Sequence, residues 1–361
     1  MPKIPKYLPN LDAIRGLAAL VVILWHVELI KSDYSIPNLQ ALHNLGGIGV
    51  TVFFVLSGFL ITYLLFKEHT SSGGIHIVKF YFRRILRIWP VYFLILAIGV
   101  FIYPRNFQLD ALVMSIFFFP NVAFVMGKLP AIIDPIWSLG VEEEFYMFHP
   151  HFFRMKKQAK IFNTLIAMFF FFYALKLFAS KMHIPLMQNI LFFARFDCMM
   201  IGGIFSMWMA NHLAEKPKFN TWLSPDFLFN KNFQRVLFIS FIAYLIYGVV
   251  INPHAYSNQV LSLLTAACIV NLAFNPNCIV RLENKTLNFI GKISFGLYLM
   301  HKFPVELFTW LSVKLEITNL LLQNLFIYGL ALPTSILLAY LSFHFYEAWF
   351  LRLKERKFST H

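Results

Sequence analysis

The sequence predicts an all-α polytopic membrane protein, and three observations carry that prediction. Of the 361 residues, 59% are hydrophobic and only 13% are charged, a composition outside the range of soluble globular domains. Many apolar runs approach or exceed the roughly 20 residues that an α-helix needs to cross a bilayer. The net charge of +14 comes from Lys and Arg clustered between those runs, which indicates loops retained in the cytoplasm and no nucleic-acid partner.

The apolar runs predict about ten transmembrane helices with both termini cytoplasmic, all within one integral membrane domain spanning 1–361. One further segment, 136–150, contains three consecutive glutamates. We expect a re-entrant or broken helix there, because a full crossing would move the later basic loops outside. The ten predicted spans lie near 12–31, 46–66, 88–103, 109–127, 163–180, 188–211, 234–251, 258–275, 287–312 and 319–346.

The first predicted span carries three ionisable residues, Asp12, Arg15 and His26. Eleven residues separate Arg15 from His26, about three helical turns plus 20°, so the two share a helix face roughly 16 Å apart along the axis. Ionisable groups inside a span are costly and normally face a cavity or a partner. Snorkelling to the membrane surface is a sufficient explanation for Arg15, whereas the depth of His26 favours a functional role.

Three arginines, Arg83, Arg84 and Arg87, precede the third predicted span in a presumed cytoplasmic loop. On a helix they would be neighbours at i,i+3 and i,i+4 spacing. The planar guanidinium makes bidentate hydrogen bonds with phosphate, but a membrane anchor needs basic residues at this same place. Trp89 and Pro90, which fix the entry into the span, favour a phosphate site.

Two further positions are more polar than a lipid-facing wall requires. In the second span, glycines and Ser57 predict close helix packing, with Ser57 lining a site as the less favoured alternative. In segment 136–150, Glu142 and Tyr146 share a helix face. A carboxylate near His26 could orient the imidazole or share its proton; alternatively, the glutamates neutralise nearby arginines.

Near the C-terminus, Ser294, Tyr298 and His301 follow i, i+4, i+7 spacing, which places one polar stripe on an apolar helix. Hydrogen bonding between helices explains Ser294 best, and His301 stays open to a functional role. The three cysteines have no metal-binding or redox spacing, so no metal site and no disulfide are predicted.

Five ordered motifs along nearly the whole chain resemble the acyltransferase-3 family of integral membrane acyltransferases. That family modifies bacterial surface glycans and some small acceptors, and this chain is similar to its stand-alone type. The sequence departs from the family pattern after Glu347, where a basic residue and Pro often follow. The motifs are Leu11-Asp12…Arg15-Gly16-Leu17…His26, Phe53 to Leu60, Arg83-Arg84…Arg87-Ile88…Pro90, Trp137-Ser138-Leu139…Glu142-Glu143…Phe145-Tyr146…Pro150, and Ile293-Ser294…Tyr298-Leu299…His301.

The resemblance implies a ten-helix enzyme of the inner membrane that takes an acyl group, most often acetyl, from cytoplasmic acyl-CoA. The acceptor would be a hydroxyl of a carbohydrate or glycolipid, and membrane lipid surrounds the protein. His26 would be the central catalytic residue, and Arg84 and Arg87 would be required for activity. Arg15 and Glu142 are assigned to the catalytic site with His26, Arg83 joins the donor site, and the remaining candidates are Asp12, Ser57, Tyr146, Tyr298 and His301.

Two other classes of function compete with this one. A secondary transporter or flippase for a glycan or small anion would also place paired charges in the membrane, but corresponding Gly/Pro-broken helices are not evident in the two halves. A purely structural membrane protein would not need His26 aligned with Arg15. The sequence leaves open the acceptor, the acyl group, the oligomeric state, the side of the membrane where transfer ends, and the choice between direct transfer and an acyl-histidine.

Overall fold

The computed structural model describes residues 7–102, 108–214, 224–252 and 257–358, and within these ranges the chain is helical with no β-strand. This confirms the predicted all-α class. The α-helices are α1 (Leu11–Asp33), α2 (Gln40–His43), α3 (Ile48–Ser72), α4 (Ile77–Ile102), α5 (Leu109–Ile116), α6 (Pro120–Val125), α7 (Ile136–Phe152), α8 (Gln158–Lys181), α9 (Pro185–Ala194), α10 (Phe196–His212), α11 (Lys231–Ile246), α12 (Asn258–Phe274), α13 (Lys285–Met300), α14 (Lys302–Lys314), α15 (Leu320–Leu341) and α16 (Ala348–Phe358).

Seven helical stretches in the described ranges are long and apolar enough to cross a membrane, judged by length and composition. They confirm a multi-pass membrane protein. The count of ten spans and the cytoplasmic placement of the termini stay predictions, and residues 1–6 and 359–361 lie outside the described residues. The seven stretches are Leu11–Asp33, Gln40–Ser72, Ile77–Ile102, Gln158–Lys181, Pro185–His212, Lys231–Ile251 and Leu320–Arg356.

Three predicted spans are not continuous helices. The stretch 188–211 divides into α9 and α10 at Arg195, which adopts a φ of 46°. The stretch 109–127 forms α5 and α6, with a break between them at which Phe118 adopts a φ of 64°. The stretch 287–312 divides at His301 into α13 and α14. These runs are predominantly apolar, so a sum over hydropathy does not register where the helix is interrupted.

Two other boundaries also need correction. Helix α4 begins at Ile77 instead of near residue 88, so the three arginines lie in a helix and not in a loop; Arg is a good helix former, and its charge does not end a helix. Segment 136–150 is one continuous helix that contains Pro150 near its end, which excludes a break, while re-entry stays a prediction. Proline there removes a single intrahelical bond two residues before the helix ends.

The described helices cluster into two compact units, each assembled from separate stretches of chain. The first unit comprises Met1–Arg15, Val50–Ile75 and Val141–Asn288, and the second comprises Gly16–Gly49, His76–Gly140 and Phe289–His361. The prediction of one domain over 1–361 stays a prediction.

In the first unit, α3 and α10 approach so closely that glycines are needed at the contact. A Cβ on Gly58 would overlap the backbone of Met199, and one on Gly202 would overlap the carbonyl of Val55. Small residues that let backbones meet are typical of helix packing in membranes. The glycines of the second predicted span therefore have the packing role that the sequence indicated.

In the second unit, α14 packs along α15, and α16 packs along α4. A π-helical segment, Ser342–Glu347, joins α15 to α16. Tyr346 at its end donates a hydrogen bond to the carbonyl of Pro90 in α4, at 3.2 Å. These contacts place the C-terminal helix beside the arginine-bearing end of α4.

Candidate functional site

The second unit brings together two buried histidines, one from each end of the sequence. His26 lies on α1, and His301 lies at the junction between α13 and α14. Their ring centroids are 4.7 Å apart with the planes tilted by 60°. His26 is 5% exposed and His301 is fully buried, so both rings are withdrawn from bulk solvent. The sequence indicated both residues separately but not their contact.

Backbone carbonyls define the tautomer of both rings. Nδ1 of His26 lies 2.9 Å from the Val22 carbonyl, and Nδ1 of His301 lies 2.7 Å from the Tyr298 carbonyl. A carbonyl oxygen only accepts, so each Nδ1 carries the hydrogen and donates it. In the neutral ring, Nε2 then keeps its lone pair and can take a proton or attack an electrophile. Within the described ranges, Nε2 of His301 is buried with no hydrogen-bond partner.

Four further residues of the second unit fix the surroundings of His301. Tyr298 Oη and Ser138 Oγ are 2.7 Å apart, and Ser138 also reaches the carbonyl of Pro135 at 3.2 Å. Lys302, which is 3% exposed, donates to both carboxylate oxygens of Asp134 at 2.9 Å. Burial raises the pKa of the Asp134 carboxyl, and the Lys302 ammonium acts on that pKa in the opposite direction.

Lys302 interacts electrostatically with both histidines. Its tether to Asp134 therefore fixes a positive charge beside the imidazole pair. Sequence reasoning missed Asp134 and Lys302, which are 168 positions apart. The available signal was a charge inside the predicted span 287–312 for Lys302 and a charge just before segment 136–150 for Asp134.

In the first unit, a chain of hydrogen bonds links three predicted site residues. Tyr146 donates to Oε2 of Glu142 at 2.9 Å, so the two residues share a face of α7 as predicted. Ser57 Oγ lies in hydrogen-bonding contact with the Tyr146 oxygen. Since the phenol has one hydrogen and gives it to the carboxylate, Ser57 is the donor to Tyr146. The role of Glu142 beside His26 stays a prediction, because the two residues belong to different units.

The other two candidates of the first span form an ion pair at the start of α1. Arg15 Nη1 lies 3.0 Å from Oδ1 of Asp12, one turn earlier, and both side chains are about one quarter exposed. An acidic residue in the first turn also suits the helix dipole. Arg15 and His26 lie on the same helix, and a catalytic role for Arg15 stays a prediction.

Arg83, Arg84 and Arg87 are half-buried on the first turns of α4. The guanidinium of Arg84 lies over the ring of Phe80, 5.6 Å from its centroid. Arg87 interacts electrostatically with the buried carboxylate of Glu347. Sequence spacing could not reveal this interaction between the two helical segments.

Among the described residues, no cluster of three or more His, Cys, Asp or Glu side chains could hold a metal ion. The arrangement instead offers two imidazoles with free lone pairs, a tethered ammonium and a separate group of guanidinium side chains. Such a set suits acid–base or nucleophilic chemistry together with anion binding.

Comparisons with known proteins point to one family. The family model Acyl_transf_3, described as an acyltransferase domain, matches residues 8–344. A protein of Staphylococcus aureus (strain COL) named "Putative O-acetyltransferase SACOL0978" is 26% identical over 96% of this chain, which spans only 57% of that protein. No solved structure matches the chain.

Two relatives carry names that specify peptidoglycan. The peptidoglycan O-acetyltransferase OatA of Listeria monocytogenes is 33% identical over 41% of this chain and 24% of its own length. A Bacillus subtilis protein named "Putative peptidoglycan O-acetyltransferase YrhL" is 31% identical over 43% of this chain and 26% of its own. The family match covers nearly the whole chain, so this multi-pass membrane protein belongs to the acyltransferase-3 family.

Proposed function

We propose that this chain is an inner-membrane O-acyltransferase that moves an acyl group, most simply acetyl, from cytoplasmic acyl-CoA to a hydroxyl of a carbohydrate acceptor. The observation that carries the proposal is the buried pair of His26 and His301, each held with Nε2 unprotonated by a backbone carbonyl. The family match supports acyl transfer, and the names of relatives support a glycan acceptor.

Direct transfer uses His26 as a general base. Nε2 takes the proton from the acceptor hydroxyl while the oxygen attacks the thioester carbonyl. The tetrahedral intermediate collapses, the C–S bond breaks, and the CoA thiolate leaves with the proton that His26 held. Histidine suits this step because its pKa lies nearest the working pH.

The same lone pair also permits a covalent route. Nε2 of His26 attacks the thioester, the C–S bond breaks, CoA leaves as the thiolate, and an acyl-imidazolium forms that keeps its hydrogen on Nδ1. The acceptor hydroxyl then attacks the acyl carbon and gives its proton to a neighbouring base, and the C–N bond breaks to restore the neutral ring. His301, whose buried Nε2 has no hydrogen-bond partner among the described residues, supplies such a base.

The surrounding residues have distinct tasks in this scheme. Lys302 places a positive charge near the oxyanion that develops on the carbonyl. The hydrogen bond between Tyr298 and Ser138 holds the end of α13, which precedes His301, against α7. Glu142, together with Tyr146 and Ser57, is assigned to proton transfer or to positioning of the acceptor. The ion pair of Arg15 with Asp12 is assigned to the start of the first helix.

Donor binding is assigned to Arg83, Arg84 and Arg87 on α4. The CoA pyrophosphate and 3′-phosphate match guanidinium forks. Binding energy from these remote phosphates positions the thioester, which is how enzymes use parts of a substrate that do not react.

The test is transfer of labelled acetyl from acetyl-CoA by purified protein, with intact-protein mass spectrometry in the absence of acceptor. An acetyl adduct on His26 identifies the covalent route, and turnover without an adduct identifies direct transfer. Surface glycans of a deletion strain, compared by mass spectrometry, identify the acceptor. Full activity in well-folded His26→Gln would overturn the assignment, and unchanged glycan acylation in the deletion strain would overturn the acceptor class.

A further inference from the structure

The C-terminal helix α16 runs beside the arginines of α4, and two contacts set its position along that helix. Tyr346 donates to the carbonyl of Pro90 at 3.2 Å. The next residue, Glu347, is buried and interacts with Arg87, one turn before Pro90. As α16 continues towards its end it therefore passes the earlier turns of α4, and the two helices are antiparallel.

This antiparallel arrangement places Lys354 near the three arginines of α4. Lys354 follows Glu347 by seven residues, which is two helical turns less about 20°, so both side chains point to the same face. Lys354 is half-buried, and its charge interacts with those of Arg87, Arg84 and Arg83. The charge of Lys354 on α16 thus interacts with three cations on α4, and the buried Glu347 interacts with one of them, Arg87.

Gathering like charges costs free energy, because each cation raises the potential at the others. Glu347 lowers that cost beside Arg87, whereas Glu355, which also interacts with Lys354, is exposed to solvent. A surface that is intended only as a membrane anchor would spread its cations along the interface. A half-buried group on two packed helices instead suits an anion with several phosphates.

We propose that Lys354 is a fourth phosphate-binding residue, which joins Arg83, Arg84 and Arg87 in holding the polyphosphate part of the donor. The proposal rests on the proposed function, in which acyl-CoA is the donor. The arginines supply planar forks, whereas the ammonium on a flexible stem reaches a phosphate from the opposite helix. A free polyphosphate is favoured over a lipid headgroup, because a phosphodiester brings one negative charge to four cations.

The test measures the affinity of detergent-purified protein for CoA, 3′-dephospho-CoA and inorganic pyrophosphate by calorimetry. Arg352→Gln is the matched control: Arg352 lies on the same helix and the substitution removes the same charge, but Arg352 is exposed, and its side chain donates a hydrogen bond to the Ala348 carbonyl of its own helix at 3.2 Å. Lys354→Gln should weaken CoA binding about tenfold, the loss expected for one charge-assisted hydrogen bond. Arg352→Gln should stay within about twofold, and Lys354→Arg should retain most of the affinity.

Each outcome decides between the two proposals. If Lys354→Gln and Arg352→Gln bind CoA like the unaltered protein, Lys354 is not a ligand and the donor assignment stands. If pyrophosphate binding depends on Lys354 and CoA does not compete, the anion site stands and the acyl-CoA donor is wrong. Absence of binding for all three compounds overturns both. Unchanged CoA affinity with loss of bound phosphatidylglycerol in nanodiscs would make Lys354 a lipid contact and overturn the inference. If Lys354→Gln does not fold, Lys354→Arg replaces it in the test. Unchanged stability and an unchanged preference for CoA over 3′-dephospho-CoA in Lys354→Arg support the inference. Loss of that preference overturns it.

Discussion

Two buried ionisable residues on α1 are only two positions apart. They differ in how completely their neighbours satisfy the hydrogen-bonding capacity of the side chain. Glu28 is fully buried, and each of its oxygens receives two hydrogen bonds: from Lys31 at 2.9 and 3.0 Å, from the backbone N–H of Leu39 at 2.7 Å, and from Tyr328. His26 satisfies Nδ1 with a carbonyl and packs its ring on His301, with Nε2 unprotonated. A buried charge whose hydrogen-bonding capacity is fully used stabilises the structure. A buried base whose lone pair is unprotonated is suited to catalysis.

The largest effect should come from His26→Gln. Glutamine keeps a similar size and hydrogen-bonding capacity but cannot act as a base at neutral pH. We expect acetyl transfer to fall by about 10²–10⁴, with thermal unfolding and CoA affinity unchanged. Radiolabelled transfer measured on monodisperse protein checks this. A loss of folded protein instead of a loss of rate would place His26 in the same class as Glu28.

Glu28→Gln should have the opposite signature. Removing the charge leaves Lys31 buried beside a neutral amide, which typically costs roughly 3–5 kcal/mol. We expect a strong loss of thermal stability and yield, with near-normal turnover in the molecules that fold. Replacing both Glu28 and Lys31 with Met should recover stability, because no buried charge is then left alone. Stable but inactive Glu28→Gln would contradict the distinction.

His301→Gln should have an intermediate effect. The ring is fully buried and contacts His26, so its loss removes a second base and a wall of the site. We expect a reduction in transfer of roughly ten- to hundredfold, equivalent to the roughly 1.5–3 kcal/mol of a hydrogen bond to a charged group. Steady-state kinetics should show the loss in kcat with little change in KM for the donor. A change confined to KM would assign His301 to substrate binding.

Ser138→Ala should have the smallest effect. It removes the partner of the Tyr298 hydroxyl at 2.7 Å, and a neutral hydrogen bond contributes only about 0.5–1.5 kcal/mol. Transfer should fall about two- to tenfold, and Tyr298→Phe should give a similar loss. The double variant should lose less than the sum of the two single losses, because both single variants remove one shared bond.

Much of the fold and part of the site follow from local sequence features. Length and hydropathy of the apolar runs predict helices, and a polar residue such as His26 or His301 inside such a run is visible without tertiary structure. Packing between distant segments is not. The contacts of His26 with His301, Asp134 with Lys302, and Arg87 with Glu347 each join residues separated by a large part of the chain.

The predicted helix boundaries were wrong for a related reason. Hydropathy is a sum along the chain and does not change when an apolar segment bends at Phe118 or when two helices meet at His301. The start of α4 at Ile77 was missed because charge was interpreted as the end of the membrane and therefore of the helix. Membrane depth and helix length are independent quantities.

The π-helical segment Ser342–Glu347 sets the rotational phase of the C-terminal helix. A wider turn of this kind accommodates an extra residue, and one residue corresponds to about 100° of rotation around an α-helix. Gly296 leaves room beside this segment, since a Cβ there would lie 2.9 Å from Oε1 of Glu347. Deleting one residue from Ser342–Glu347 would rotate α16 about its own axis and turn Lys354 away from α4. The sequence composition and the hydropathy would stay almost the same. Natural insertions or deletions in this short segment would therefore change donor recognition without replacing any of the proposed phosphate-binding residues.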